Sequence, residues 1–169
     1  IDSGIDAILF PHIETTEQIT KIIKETLLPP LGNKSFSPFV TKYNYGNKAK
    51  DLKENPYIGI LIESLIGIKN SEELLSHPNI DFVYFGAYDL SVEIEKPGQI
   101  FNDEILKHLT TLIKNAKTHK KQILAIYRDA KELDLLCELG VDFPIASVDT
   151  SHLIQKLSQE SENYFKFKN

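Results

Sequence analysis

Two stretches of the sequence share one pattern: Tyr57-Ile58-Gly59-Ile60-Leu61-Ile62-Glu63 and Phe82-Val83-Tyr84-Phe85-Gly86-Ala87-Tyr88-Asp89. Each is a run of β-branched and aromatic residues followed by a carboxylate. Such a run is typical of a strand buried on both faces, as in parallel sheets. Because ligands of α/β sheets bind beyond the carboxyl ends of the strands, we expect the two acids at one edge. Carboxylates there predict a site for a hard divalent cation, with Glu63 and Asp89 as ligands.

Three more apolar runs predict strands, and helical patterns alternate with all five. Strict alternation predicts a parallel sheet with right-handed crossovers. Five such units fit either an open doubly wound sheet or a portion of an eight-stranded (β/α)8 TIM barrel, and periodicity does not choose between them. The predicted strands are Ala7–Phe10, Ile58–Ile62, Phe82–Phe85, Ile123–Ile126 and Phe143–Ala146. The predicted helices are Thr15–Leu28, a short one from Asn70, Asp103–His119, Asp129–Leu139 before Gly140, and one from Asp149 or Thr150.

Composition narrows the function classes. The chain has 169 residues, 25% of them charged, a net charge of −5 and a single arginine. A nucleic-acid partner would need a clustered basic surface, so none is expected. No apolar run approaches the roughly 18 residues of a membrane span. Cys137 is predicted to fill an apolar position on a helix, and with one cysteine and no signal segment we expect a cytoplasmic protein. The absence of any methionine suggests that the start has been removed or that the sequence is incomplete.

Other residues could reach the same edge of the sheet. His12 follows the first strand and Arg128 the fourth, so both are candidates for the mouth of the site. A loop histidine is more often simply solvated, and the remaining histidines fall on predicted helices or turns. The segment Pro29–Asn47 contains several aromatic residues, which favours an ordered functional loop over a linker.

An ordered set of motifs resembles the HpcH/HpaI aldolase/citrate lyase family, metal-dependent class II pyruvate aldolases on a phosphoenolpyruvate-binding type of TIM barrel. The resemblance runs from Ile1 to about Leu157 and follows the order of the chain. The motifs are Leu9-Phe10-Pro11 with Glu14-Thr15-Thr16-Glu17, Pro29-Pro30-Leu31-Gly32, Leu61-Ile62-Glu63 with Asn70, Phe85-Gly86-Ala87-Tyr88-Asp89-Leu90-Ser91 with Pro97-Gly98-Gln99, and Val148-Asp149-Thr150.

The resemblance implies a single α/β domain over residues 1–169 that forms roughly the last five βα units of a barrel. It implies a carbon–carbon lyase or aldolase that acts on 4-hydroxy-2-oxo acids or related substrates through a pyruvate enolate stabilised by Mg²⁺, Mn²⁺ or Co²⁺. The metal ligands would be Glu63 and Asp89, and the substrate carboxylate would meet the turn Gly86, Ala87, Tyr88 and Asp89. It also implies a homo-oligomer, either a dimer or a hexamer, in which a terminal helix packs on a neighbour.

Departures from the family pattern leave alternatives open. Leu61 stands where a substrate-contacting glutamine is common, and Lys34 stands for a common arginine, which loses the bidentate fork. The family's general-base histidine and enolate-stabilising arginine belong to early strands and are expected upstream of Ile1. A catalytically incomplete homologue that binds metal or oxo acid without turnover is therefore a second interpretation. A receiver module phosphorylated on Asp89 is a third, although paired acids after the first strand and a lysine after the fifth are missing.

Overall fold

A computed structural model of the chain describes residues 1–47, 55–146 and 148–168. In the described residues, five strands alternate with helices. The strands are β1 (Ala7–Phe10), β2 (Tyr57–Ile62), β3 (Phe82–Phe85), β4 (Gln122–Tyr127) and β5 (Phe143–Ala146). The α-helices are α1 (Thr16–Thr26), α2 (Leu65–Ser76), α3 (Ala87–Glu93), α4 (Asp103–Thr118), α5 (Ala130–Leu139) and α6 (Asp149–Lys168), and a 3₁₀ segment spans Thr41–Gly46.

The strand order decides between the two architectures. All neighbouring strands are parallel, and their order is β1-β2-β3-β4-β5 without reversal. A doubly wound sheet, including that of a receiver module, reverses its order at a switch point. Because right-handed crossovers between successive neighbours always step to the same side, the order here places all helices on one face, as in a barrel. The prediction of a parallel (β/α)8-type sheet of five units is confirmed.

The hydrophobic core lies between the sheet and its helices. Alternate strand residues face this core and are almost fully buried, among them Ile58, Ile60, Ile62, Val83 and Phe85. The opposite, concave face is more open: Tyr57 is 64% exposed and Phe143 is 54% exposed. At the amino ends of the strands this face forms an apolar hollow of about 500 Å³, lined by Ala7, Tyr57, Asp81, Phe82, Gln122, Leu124 and Phe143.

Local signals place most helix ends. Thr15 and Gln18 form the capping box of α1, and α5 ends at Gly140 with a left-handed φ of 88°. The predicted start of the second helix at Asn70 is wrong. The helix begins five residues earlier, at Leu65, because the Ser64 hydroxyl accepts a hydrogen bond from the Gly67 amide.

Two further expectations meet different outcomes. Cys137 is exposed, so its predicted role as an apolar filler is wrong. On α5 the buried residue is its neighbour Leu136. Successive side chains of a helix point about 100° apart, so Cys137 faces away from the core that Leu136 enters. In the segment Pro29–Asn47, Phe36 and Tyr43 pack edge to face with ring centroids 5.4 Å apart.

None of the described helices combines the length and apolarity that a membrane crossing requires.

Candidate metal centre

Glu63 stands at the carboxyl end of β2, one residue beyond the paired Ile62 and Phe85. Its side chain is buried, with 6% of the residue exposed. The close approach of Gly86, the residue directly after β3, makes this possible. A Cβ atom at Gly86 would lie 2.3 Å from Glu63 Cβ and 3.2 Å from Oε2. Since the φ of Gly86 is an ordinary −84°, glycine is required here for space and not for its backbone angle.

Asp89 reaches the same edge from the first turn of α3, the short helix that follows β3 at once. Its carboxyl group is an electrostatic neighbour of the Glu63 carboxyl group. Burial raises the pKa of Glu63, and the adjacent Asp89 raises it further. The sheet thus brings together the two acids at the strand ends, and their mutual repulsion identifies a position where a cation would be stabilised.

His12, in the turn between β1 and α1, contacts Glu63 from the other side. Its backbone amide donates a hydrogen bond to Glu63 Oε1 at 3.0 Å, and its ring Nδ1 lies 3.2 Å from the same oxygen. This contact lowers the pKa of Glu63 and partly offsets the effects of burial and of Asp89. The residue has a left-handed φ of 54°. Sequence reasoning favoured a solvated loop histidine, and the side chain is indeed 76% exposed. Nothing in the sequence shows, however, that the turn folds back onto β2.

Further polar contacts hold this edge of the sheet in place. The Ser64 hydroxyl donates to Glu14 Oε1 at 2.5 Å, and Asn70 Nδ2 donates to the Glu14 carbonyl at 2.8 Å. The loop after β1 is therefore tied to α2. Sequence reasoning assigned no role to Glu14 beyond its place in a motif. The partners of Glu14 become visible only once β1 and β2 are known to be neighbouring strands.

Arg128, the residue after β4, occupies a different part of the rim. Its Nε donates to Glu132 at 3.0 and 3.1 Å, and its Nη2 also bonds Glu132. This pairing raises the pKa of the guanidinium group, so Arg128 stays charged. The guanidinium lies 5.8 Å from the centroid of the Phe101 ring. Its described hydrogen bonds thus go to Glu132 and not to the carboxylate pair.

The donor set fits a small divalent cation. Among the described residues, no group of three His, Cys, Asp and Glu side chains has the geometry of a metal site. Two carboxylates at one edge are nevertheless the typical protein contribution to a Mg²⁺ site, where water and substrate complete the octahedron. The buried, raised-pKa carboxyl of Glu63 beside a second carboxyl is the arrangement that such an ion would neutralise.

Comparisons with known proteins agree on one family. The family model described as HpcH/HpaI aldolase/citrate lyase matches residues 1–156. The 2-keto-3-deoxy-L-rhamnonate aldolase of Escherichia coli (strain K12) is 25% identical over 175 residues, covering 100% of this chain and 65% of the relative. That of Salmonella paratyphi B is 23% identical over 154 residues, covering 89% and 58%. The chain thus spans at most about 65% of the length of these two relatives.

Solved structures show the same fold. An HpcH/HpaI aldolase/citrate lyase family protein from Burkholderia cenocepacia J2315 superposes with a TM-score of 0.89 at 20% identity, covering 96% of this chain and 66% of that one. Protein CitE from Mycobacterium tuberculosis, solved in complex with magnesium and acetoacetate, has a TM-score of 0.55 at 15% identity, covering 85% and 52%.

Proposed function

The chain belongs to the HpcH/HpaI aldolase/citrate lyase family, and on that basis we propose that it is part of a metal-dependent carbon–carbon lyase. The observation that carries the proposal is the buried Glu63 carboxyl group beside that of Asp89 at the carboxyl edge of the sheet. Two adjacent carboxylates without a counter-ion repel each other and shift one pKa upward. A divalent cation would remove that penalty, so the pair is a ligand set.

In this proposal each residue at the edge has a separate task. Glu63 and Asp89 hold the cation, Mg²⁺, Mn²⁺ or Co²⁺. Gly86, Ala87, Tyr88 and Asp89 form the turn that binds the substrate carboxylate. The Gly86 amide donates to the Ile62 carbonyl at 2.9 Å, so the amides of Ala87, Tyr88 and Asp89, in the first turn of α3, are the ones that have no intrahelical acceptor and can meet an anion. When bound, the cation would supply a Lewis acid for the negative charge that develops on a 2-oxo group.

The substrate class proposed is 4-hydroxy-2-oxo acids and related compounds, cleaved or formed at the carbon–carbon bond. Support comes from relatives named for an aldolase reaction on 2-keto-3-deoxy-L-rhamnonate, although that substrate is theirs. Leu61 lies on the concave face two residues before Glu63, where the family often has glutamine. We therefore expect a substrate preference different from that of a glutamine-containing member. The general base and the enolate-stabilising arginine are proposed to lie upstream of Ile1.

Metal binding tests the proposal directly. Isothermal titration calorimetry with Mn²⁺ should show one site per chain, and Glu63→Gln or Asp89→Asn should weaken it at least tenfold, since each removes a charged ligand. Asp134→Asn, on the exposed side of α5, is the matched control and should bind as the wild type does. A wild-type chain that binds no divalent cation, or equal binding by Glu63→Gln, would refute the proposal. A pyruvate-release assay with metal present then separates an active lyase from a homologue that binds without turnover.

We also propose that the protein is a homo-oligomer, a dimer or a hexamer. The helix α6 supports this, because none of its described residues is buried although it carries large apolar side chains. The exposed set includes Leu153, Ile154, Leu157, Tyr164, Phe165 and Phe167.

A further inference from the structure

We propose that His12 restricts Glu63 to coordination through one oxygen and thereby makes the site select small divalent cations over Ca²⁺. The inference rests on the proposed metal site. Its starting observation is that the amide and the ring of His12 both approach Glu63 Oε1, at 3.0 and 3.2 Å. The amide forms a hydrogen bond to this oxygen, and the ring, which is 76% exposed, approaches it within ion-pair distance. One oxygen of Glu63 is therefore approached by two nitrogen atoms of a single residue.

The other oxygen, Oε2, lies on the opposite side of the carboxyl group. It is 3.2 Å from the position that a Cβ of Gly86 would occupy, which places it towards the strand end that leads into α3 and Asp89. The absence of a side chain at Gly86 keeps this approach open. Oε2 is therefore the oxygen that a cation shared with Asp89 would meet, while Oε1 is held away from it.

The turn that carries His12 is fixed on both sides. Gln18 Nε2 donates to the His12 carbonyl at 3.1 Å, and the Ile13 amide donates to the Leu61 carbonyl at 3.3 Å. These bonds keep His12 at its left-handed φ of 54°, which non-glycine residues adopt rarely. The amide bond to Oε1 is thus part of the fold, and the 76% exposed ring of His12 adds a second contact through its side chain.

Coordination through one oxygen has a chemical consequence. Mg²⁺ requires a small, near-octahedral shell with single carboxylate oxygens and several waters, whereas Ca²⁺ accepts six to eight oxygens and often takes carboxylates in the bidentate mode. With Oε1 engaged by His12, Glu63 offers only one oxygen, which disfavours the larger ion. Removing the ring leaves the amide bond on Oε1 and frees the space beside this oxygen, which makes the bidentate mode accessible. His12 would then be a positioning residue that acts through Glu63.

Two substitutions separate the ring from the backbone. His12→Gly keeps the amide donor and tolerates a left-handed φ but removes the ring. His12→Asn also tolerates this φ, and its side-chain amide nitrogen corresponds to Nδ1, so it should keep a nitrogen atom beside Oε1. His108→Asn on α4 is the matched control. Calorimetry with Mn²⁺ and Ca²⁺ on the purified chain gives the affinity of each variant without any activity assay.

We expect His12→Gly to bind Mn²⁺ roughly tenfold to 100-fold more weakly, as for other outer-shell ligand partners, and to lose part of its preference over Ca²⁺. His12→Asn and the control should stay close to the wild type. Unchanged Mn²⁺ affinity and Ca²⁺ discrimination in His12→Gly would overturn the inference, as would a His12→Asn variant that behaves like His12→Gly. A wild type that binds no divalent cation would instead refute the proposed function.

Infrared spectroscopy of the wild type tests the same point without a folding risk. The separation of the antisymmetric and symmetric carboxylate stretches differs between one-oxygen and bidentate coordination. A difference spectrum between wild type and Glu63→Gln, each at a Mg²⁺ concentration that saturates it, isolates the Glu63 carboxylate. A one-oxygen pattern supports the inference, and a bidentate pattern overturns it.

Discussion

At the scale of single residues, the site depends on a glycine as much as on its acids. Gly86 allows β3 to pass so close to β2 that the Glu63 side chain is buried between them. Sequence reasoning placed the two carboxylates at neighbouring strand ends, because parallel strands alternate with helices and share one edge. It did not find the contact of His12 with Glu63, since a left-handed turn at a histidine has no sequence signal comparable with glycine. The role of the carboxylates as metal ligands stays a prediction.

Gly86→Ala tests this dependence on space. The added Cβ would lie 2.3 Å from Glu63 Cβ, far inside van der Waals contact, so Glu63 has to move. We expect a loss of about 1–3 kcal/mol in the free energy of unfolding, typical of overpacking. Mn²⁺ affinity should fall at least tenfold, because the ligand oxygen is displaced. Denaturant unfolding and calorimetry measure the two effects.

Gly98→Ala is the control for this substitution. Gly98 has a left-handed φ of 76° but no atom within 4 Å of a Cβ built on it. It should therefore show the backbone cost of about 1–2 kcal/mol for a left-handed alanine without any change in metal affinity. Equal metal affinity in Gly86→Ala and Gly98→Ala would contradict the close-approach argument.

At the scale of elements, sequence signals located a helix correctly where a capping or terminating residue had no competing candidate nearby. They failed for α2, where Ser64 and Asn70 are both plausible caps and apolar residues resume at Leu65, with only two residues between it and the end of β2. Asn70 instead lies inside α2 and bonds the Glu14 carbonyl. They also missed α3, which follows β3 directly and contributes Asp89. A helix of seven residues is too short to show amphipathic periodicity, so tertiary packing decides it.

We predict that His77, at the carboxyl end of α2, makes the free energy of unfolding depend on pH. Burial lowers the pKa of His77, and the nearby Lys121 ammonium lowers it further. His77 Nδ1 accepts a hydrogen bond from the Asn79 amide at 3.2 Å, which requires that this nitrogen carry no proton. The unfolded chain therefore binds a proton more readily than the folded one. Stability from this group is present above the ordinary histidine pKa of about 6.5 and is lost as pH falls below it.

The measurement is the free energy of unfolding between pH 7.5 and 5. One such histidine changes it by at most about 1.4 kcal/mol per pH unit. His77→Asn keeps an oxygen that can accept from the Asn79 amide and cannot titrate, so its curve should be flatter than that of the wild type. His108→Asn should leave the slope unchanged. Identical slopes for wild type and His77→Asn would show that protonation of His77 does not oppose folding.

At the scale of the whole molecule, the alternation of strands and helices predicted the parallel sheet, and the family motifs predicted the barrel. Periodicity alone could not, because a doubly wound sheet has the same alternation and differs only in strand order. The observed order leaves one face of the sheet under the helices and the concave face open, with Tyr57 and Phe143 exposed. We propose that this face packs on further strands of a single barrel domain, since this chain covers only 65% of the length of the Escherichia coli relative.

The helix α6 offers the clearest test of assembly. Leu153 and Leu157 are each 60% exposed and lie one helical turn apart, with Ile154 beside them at 63%. Burying a leucine side chain contributes about 1.5–3 kcal/mol, so losing two should weaken association by several kcal/mol per copy. We expect the double substitution Leu153→Gln and Leu157→Gln to lower the mass measured by light scattering. Its circular dichroism should not change, because neither residue packs within the chain. Ser158→Ala is the control, and an unchanged mass in the double variant would exclude this stripe as the contact between copies.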